Sequence, residues 1–174
     1  MFTIVVYCNR MEIVFDSSTL ILLAKVEILR NCSEHFRIMI PQMVEEESIV
    51  KDTFDSKLIA SLIAEGHIDV VKTVSEDTVK MLRKDFRIHS GEAAALALAI
   101  RKNVALAIDD LPTIKACKIL NRPFTTAIHL LLKTAASGRI DKETALIKLD
   151  KLSTYGRYNK RIIDDAYSRL QGGA

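Results

Sequence analysis

A chain of 174 residues with 49% apolar and 27% charged residues buries a full core, which argues against intrinsic disorder and leaves room for one domain with a helical extension. The net charge of +3 and a pI near 8.7 are only mildly basic, so charge alone neither demands nor excludes a nucleic-acid partner. Cys8, Cys32 and Cys117 are too far apart for a disulfide framework or a thiolate zinc site, and no apolar run reaches the roughly 18–20 residues that span a bilayer, so the expectation is a cytoplasmic protein with no membrane partner.

In chain order, an apolar stretch at residues 2–7 precedes the first clear strand at 12–15. Residues 20–29 have helical spacing, and 36–40 read as a strand stopped by Pro41, which suits the first turn of the next helix. A helix over 54–65 is closed by Gly66, and 67–71 is a strand rich in β-branched residues. Ser75 caps a polar helix over 75–84. Residues 90–102 form an alanine-rich helix, apolar nearly all round and therefore buried. A strand at 104–108, a helix at 113–120 and a short strand at 123–124 follow. Helices at 128–136, 142–152 and 159–170 end the chain.

Strands alternating with helices predict an α/β fold: a central parallel sheet of four or five strands with helices on both faces. Neither a repeat nor a linker divides the chain. A single domain is expected over residues 1–174, with 1–10 as an extension, 141–170 as C-terminal helices and 171–174 as a flexible tail. In such sheets ligands bind beyond the carboxyl ends of the strands, and the acids of this chain gather there.

Asp16 follows the first strand, where it serves either as a helix N-cap or as a ligand. Glu47 sits among three glutamates, but Met43, Val44, Glu47, Val50 and Phe54 share one helical stripe. Glu45 and Glu46 are rotated from it by about 200° and 100°. Glu47 is therefore expected to face the sheet, held there by a cation or by a basic side chain. Glu92 opens the apolar helix, where the helix dipole favours an acid. Asp109 and Asp110 end the last buried strand, as a turn and cap or as ligands. Carboxylates at one sheet edge repel one another, and a hard cation such as Mg²⁺ or Mn²⁺ keeps them ionised and activates water. His35, His67, His89 and His129 are dispersed, which argues against zinc.

Four segments, 14–18 (VFDSS), 40–47 (IPQMVEEE), 90–99 (SGEAAALALA) and 107–110 (AIDD), make the chain resemble the PIN-domain ribonucleases, nearest to the prokaryotic branch related to toxins of toxin–antitoxin pairs. Residues 124–126 leading into 128–133, and 138–140, are similar to one subgroup. The resemblance covers about residues 12–170 and implies a PIN-like three-layer sandwich. It further implies an Mg²⁺- or Mn²⁺-dependent endoribonuclease, an RNA substrate, an antitoxin protein as partner and a homodimer. Asp16 matches the family's first acid, Glu47 the second and Glu92 the third. Asp109 and Asp110 compete for the fourth place, and the family's hydroxyl–any–Asp pattern favours Asp110, with Ile108 where a Ser or Thr is usual. Thr126 supplies either a hydroxyl to the site or a helix cap.

The readings that compete are a catalytically silent PIN-like scaffold that binds RNA or protein, a receiver-type phosphoacceptor and a nucleotide-binding module. A receiver carries its acidic pair after the first strand, and no GxGxxG or GxxxxGK[ST] is present. Arg157, Lys160, Arg161 and Arg169, interleaved with Asp164 and Asp165, read as a solvated helix face.

Overall fold

The apolar runs become five short strands: β1 (Met11–Phe15), β2 (Phe36–Pro41), β3 (Ile68–Val71), β4 (Ala105–Ala107) and β5 (Phe124–Thr125). The computed structural model describes residues 10–172, so the stretch 2–7 and Cys8 lie outside the described residues. All strands pair in parallel, in the order β3-β2-β1-β4-β5.

Ten helices connect and cover the sheet among the described residues: α1 (Ser17–Lys25), α2 (Leu29–His35), α3 (Gln42–Ile49), α4 (Phe54–Ala64), α5 (Glu76–Phe86), α6 (Ser90–Lys102), α7 (Leu111–Ile119), α8 (Ala127–Ala136), α9 (Lys142–Tyr155) and α10 (Lys160–Leu170). Right-handed crossovers decide their sides. The chain steps from β1 outward to β2 and β3, which puts α1, α2 and α4 on one face. It then returns to β4 and β5 through α5, α6 and α7 on the other. α6 lies across β1 and β2. Residues 93–99 of α6 are all buried, because alanines let the helix approach the sheet closely. Val14, Phe15, Ile38, Ile40, Leu96 and Leu106 meet at the centre of the core.

This order places the switch point between β1 and β4: the chain leaves β1 toward β2 on one side and comes back to β4 on the other. Phe15 is in register with Ala107, and Asp16 N donates to the Ala107 carbonyl at 3.3 Å. The residues that follow β1 and β4 therefore emerge side by side.

Two expectations are corrected. The helix expected at 20–29 is two helices, α1 and α2. Apolar spacing runs through the break because Val26, Ile28 and Leu29 are all fully buried. The chain turns at Glu27, which adopts φ 60° without being glycine. Its carboxylate receives Lys148 Nζ at 2.9 Å and Lys151 Nζ at 2.7 Å, both from α9. The stripe Met43–Val44–Glu47–Val50–Phe54 is not a buried face either. α3 ends at Ile49, and Val50 and Phe54 are 78% and 63% exposed. The side of α3 turned inward is Val44 and Ser48, with Ser48 Oγ donating to the Val44 carbonyl at 2.6 Å. The apolar face of α8 is covered within the chain by α2, α9 and α10.

Candidate active site

Asp16 is fully buried and caps α1. Its carboxylate accepts from Thr19 N at 2.9 Å, from Ser18 N at 3.3 Å and from the Ser18 hydroxyl. Those donors favour the ionised form, but burial outweighs them, and the charge of Asp109 adds to it. The Asp16 carboxyl is raised from 3.8 to about 6.

Asp109 stands beside it. One Asp109 oxygen accepts the Tyr158 hydroxyl at 2.7 Å; the other accepts Thr19 Oγ1 at 3.1 Å and Ala127 N, the first residue of α8, at 3.1 Å. Burial raises its pKa against these donors. Thr19 thus holds both acids, Asp16 through its backbone N–H and Asp109 through its hydroxyl. Tyr158 lies in the connection between α9 and α10. Burial, followed by the charges of Asp109 and Asp16, pushes its phenol far above the usual range, so it remains a donor.

Glu47 reaches the same edge from α3, but as an exposed side chain rather than one buried against the sheet. Its Oε2 accepts the Ser17 hydroxyl at 2.7 Å, so its partner is neither Lys nor Arg. It lies over the first turn of α6 at Gly91. A Cβ on Gly91 would sit 2.2 Å from Glu47 Oε2 and 2.7 Å from Oε1. Glycine there is what gives the carboxylate its seat.

Glu92 and Asp110 are engaged otherwise. Glu92 turns back to accept His89 N at 2.8 Å, closing the start of α6. Asp110 caps α7, accepting Thr113 N at 2.9 Å and Thr113 Oγ1 at 2.8 Å. Of the adjacent pair, Asp109 is therefore the one whose charge reaches Asp16. Thr126 caps α8 through His129 N at 3.3 Å, as the cap reading expects.

The structure brings Asp16, Asp109 and Glu47 to the ends of β1 and β4 and the start of α6. Among the described residues, no group of three or more His, Cys, Asp or Glu is drawn together tightly enough to hold a metal ion. The donors are nevertheless all carboxylate and hydroxyl oxygens, the set that suits Mg²⁺ or Mn²⁺. Mg²⁺ keeps several waters and takes only one or two carboxylates directly, which the buried Asp16 and the half-buried Asp109 can supply. On that ground the residues fit a hard divalent cation.

A cleft of about 340 Å³ opens between α3, α5 and α6, lined by Pro41, Met43, Glu46, Val79 and Ser90 together with Lys72 and Arg83. Neither Lys72 nor Arg83 has an ion-pair partner among the described residues.

The PIN-domain family model matches residues 12–171. The chain belongs to the PIN-domain family. No curated protein matches it. PIN domains are generally nucleases that depend on divalent metal, and the central parallel sheet flanked by helices is consistent with a PIN fold. No helix of the described residues is long and apolar enough to cross a membrane.

Sequence reasoning missed Thr19, Tyr158 and Gly91. Thr19 was legible as the third hydroxyl after Asp16. Gly91 was legible as a glycine inside the first turn of an otherwise apolar helix. Nothing near Tyr158 in the chain points to an acid 49 residues away.

Proposed function

We propose that this PIN domain is an Mg²⁺- or Mn²⁺-dependent endoribonuclease that cleaves single-stranded or structured RNA with metal-activated water. The observation that carries the reading is the Asp16–Asp109 pair: a fully buried acid and a half-buried one at the switch point, joined through Thr19 and raised in pKa by desolvation. Keeping both ionised is costly in the protein alone, and a cation offsets that cost. Bound there, the metal supplies an activated water and charge stabilisation at the phosphodiester. Asp16 and Asp109 are its holders in this reading, and Glu47 stands at the edge to orient water or substrate. Glu92 and Asp110 keep α6 and α7 in place around the site. Lys72 and Arg83 offer charge to a polyanion in the cleft between α3, α5 and α6.

The proposal takes the whole chain as one cytoplasmic domain. It includes the toxin role and antitoxin partner that the resemblance implies. It also includes a homodimer, for which the exposed Ile49, Val50 and Phe54 are the apolar surface. The test is cleavage of labelled RNA with Mg²⁺, Mn²⁺ or EDTA, wild type against Asp16→Asn. Metal-dependent cleavage lost in the variant supports the enzyme. Wild-type protein that binds RNA but never cuts it supports the silent scaffold, a reading favoured by the engagement of Glu92 and Asp110 as caps.

A further inference from the structure

We propose that Tyr158 is a positioning residue for the acid site: from the connection between α9 and α10 it fixes the rotation of the Asp109 carboxylate and so sets the affinity of the site for a divalent cation. The inference rests on the metal-dependent reading above. Three observations carry it. The Tyr158 hydroxyl donates to Asp109 Oδ1 at 2.7 Å, while Thr19 Oγ1 reaches Oδ2 at 3.1 Å and Ala127 N straddles the carboxylate, 3.1 Å from Oδ2 and 3.4 Å from Oδ1. The phenol is thus the short bond on Oδ1, where the only other donor is the longer Ala127 N–H, and Oδ2 takes Thr19 and the shorter arm of Ala127. The ring is half-buried and packs against the hydrophobic core, which holds it in place. Gly156, two residues before it, clears the way: a Cβ there would lie 2.2 Å from Tyr158 Cε2 and 2.7 Å from Cδ2. The ring folds back over a glycine, and its hydroxyl then points at the acid.

The C-terminal helices therefore do more than cover α8. α9 and α10 pack on α8, whose first N–H also reaches Asp109, so one packing unit delivers two of that acid's donors. A carboxylate free to rotate loses part of its pre-organisation for a cation. Partners of this kind typically change metal affinity by about 10–100-fold when removed.

The experiment is calorimetric titration of the full chain with Mn²⁺ alone, without RNA, for wild type, Tyr158→Phe, Gly156→Ala and Asp16→Asn. Tyr158→Phe removes a single oxygen and keeps the ring. It is expected to weaken Mn²⁺ binding by roughly 10-fold or more. Gly156→Ala displaces the ring and is expected to weaken binding in the same direction. Circular dichroism melts without metal check that both variants fold. Tyr158→Phe binding Mn²⁺ within about 2-fold of wild type, while Asp16→Asn loses it, overturns the role of Tyr158 and leaves the metal reading standing. Asp16→Asn binding Mn²⁺ as wild type does, or a wild type that binds none, overturns the metal reading and this inference with it.

Discussion

Asp16→Asn removes one charge from the centre of the site. Its effect on the metal-free protein follows from the cost of burying that charge. The Asp16 carboxyl is raised from 3.8 to about 6 by burial first, against the pull of Ser18 and Thr19. The native state therefore holds this proton more tightly than the unfolded chain does. Stability tied to Asp16 is fully present below pH 3.8 and is lost as pH rises through about 6. A rise of this size amounts to about 3 kcal/mol of stability given up by pH 7. Asn carries no such cost, but one of its two positions donates, so the bonds from Ser18 are weakened at a loss of about 1 kcal/mol. The variant is expected to gain about 2 kcal/mol at pH 7, a melting temperature higher by roughly 4–8 °C. Near pH 4 it gains nothing. The assay is a set of melts in EDTA from pH 4 to 8, wild type against variant. A gain of the same size at pH 4 and pH 7, or a loss at both, refutes the claim that a buried ionised carboxylate is the cause. Full metal-dependent cleavage by the variant would refute the nuclease mechanism.

Glu47→Gln is expected to lower cleavage by at least about 10-fold with little change in melting, while Glu45→Gln leaves both as they were; equal loss in the two would refute the seat at Gly91. Gly91→Ala tests the same seat from the other side: its Cβ displaces the Glu47 carboxylate, so activity falls as in Glu47→Gln. The fold holds or gains up to about 1 kcal/mol from the alanine in a helix. Asp109→Asn is expected to abolish cleavage. Asp110→Asn, a good cap in place of a good cap, retains most of it and shifts stability by less than about 0.5 kcal/mol; the reverse order in the cleavage assay would make Asp110 the ligand. Thr125 Oγ1 is buried with no hydrogen-bond partner, so Thr125→Val is expected to stabilise by about 1 kcal/mol in a melt. Activity lost in that variant would instead assign the hydroxyl to the site. Val50→Asp is expected to turn a dimer into a monomer in light scattering, and a monomeric wild type across micromolar concentrations removes the dimer.

Much of the fold is local and was legible as such. Strand and helix periods, Pro41 before α3, Gly66 after α4 and Ser75 before α5 are decided by residues within a turn of where they act. So is α6, whose expected bounds match the observed helix, because a run of buried alanines has no other use. Asp16 and Asp109 were placed at one sheet edge by the same reasoning, since alternation alone requires a parallel sheet with its loops at shared ends. Long-range contacts decided the rest. Glu27 breaks the first helix without glycine or proline, in a turn where Lys148 and Lys151, more than 120 residues away, meet its carboxylate. Glu47 meets Ser17 and Gly91 instead of the sheet, because α3 ends before the stripe that would have buried it. For the fourth acid, Asp109 and Asp110 competed in the sequence, and the resemblance favoured Asp110. The proposal of Asp109 instead rests on Thr19, Ala127 and Tyr158, three donors from three separate elements that converge on it only after the chain has packed.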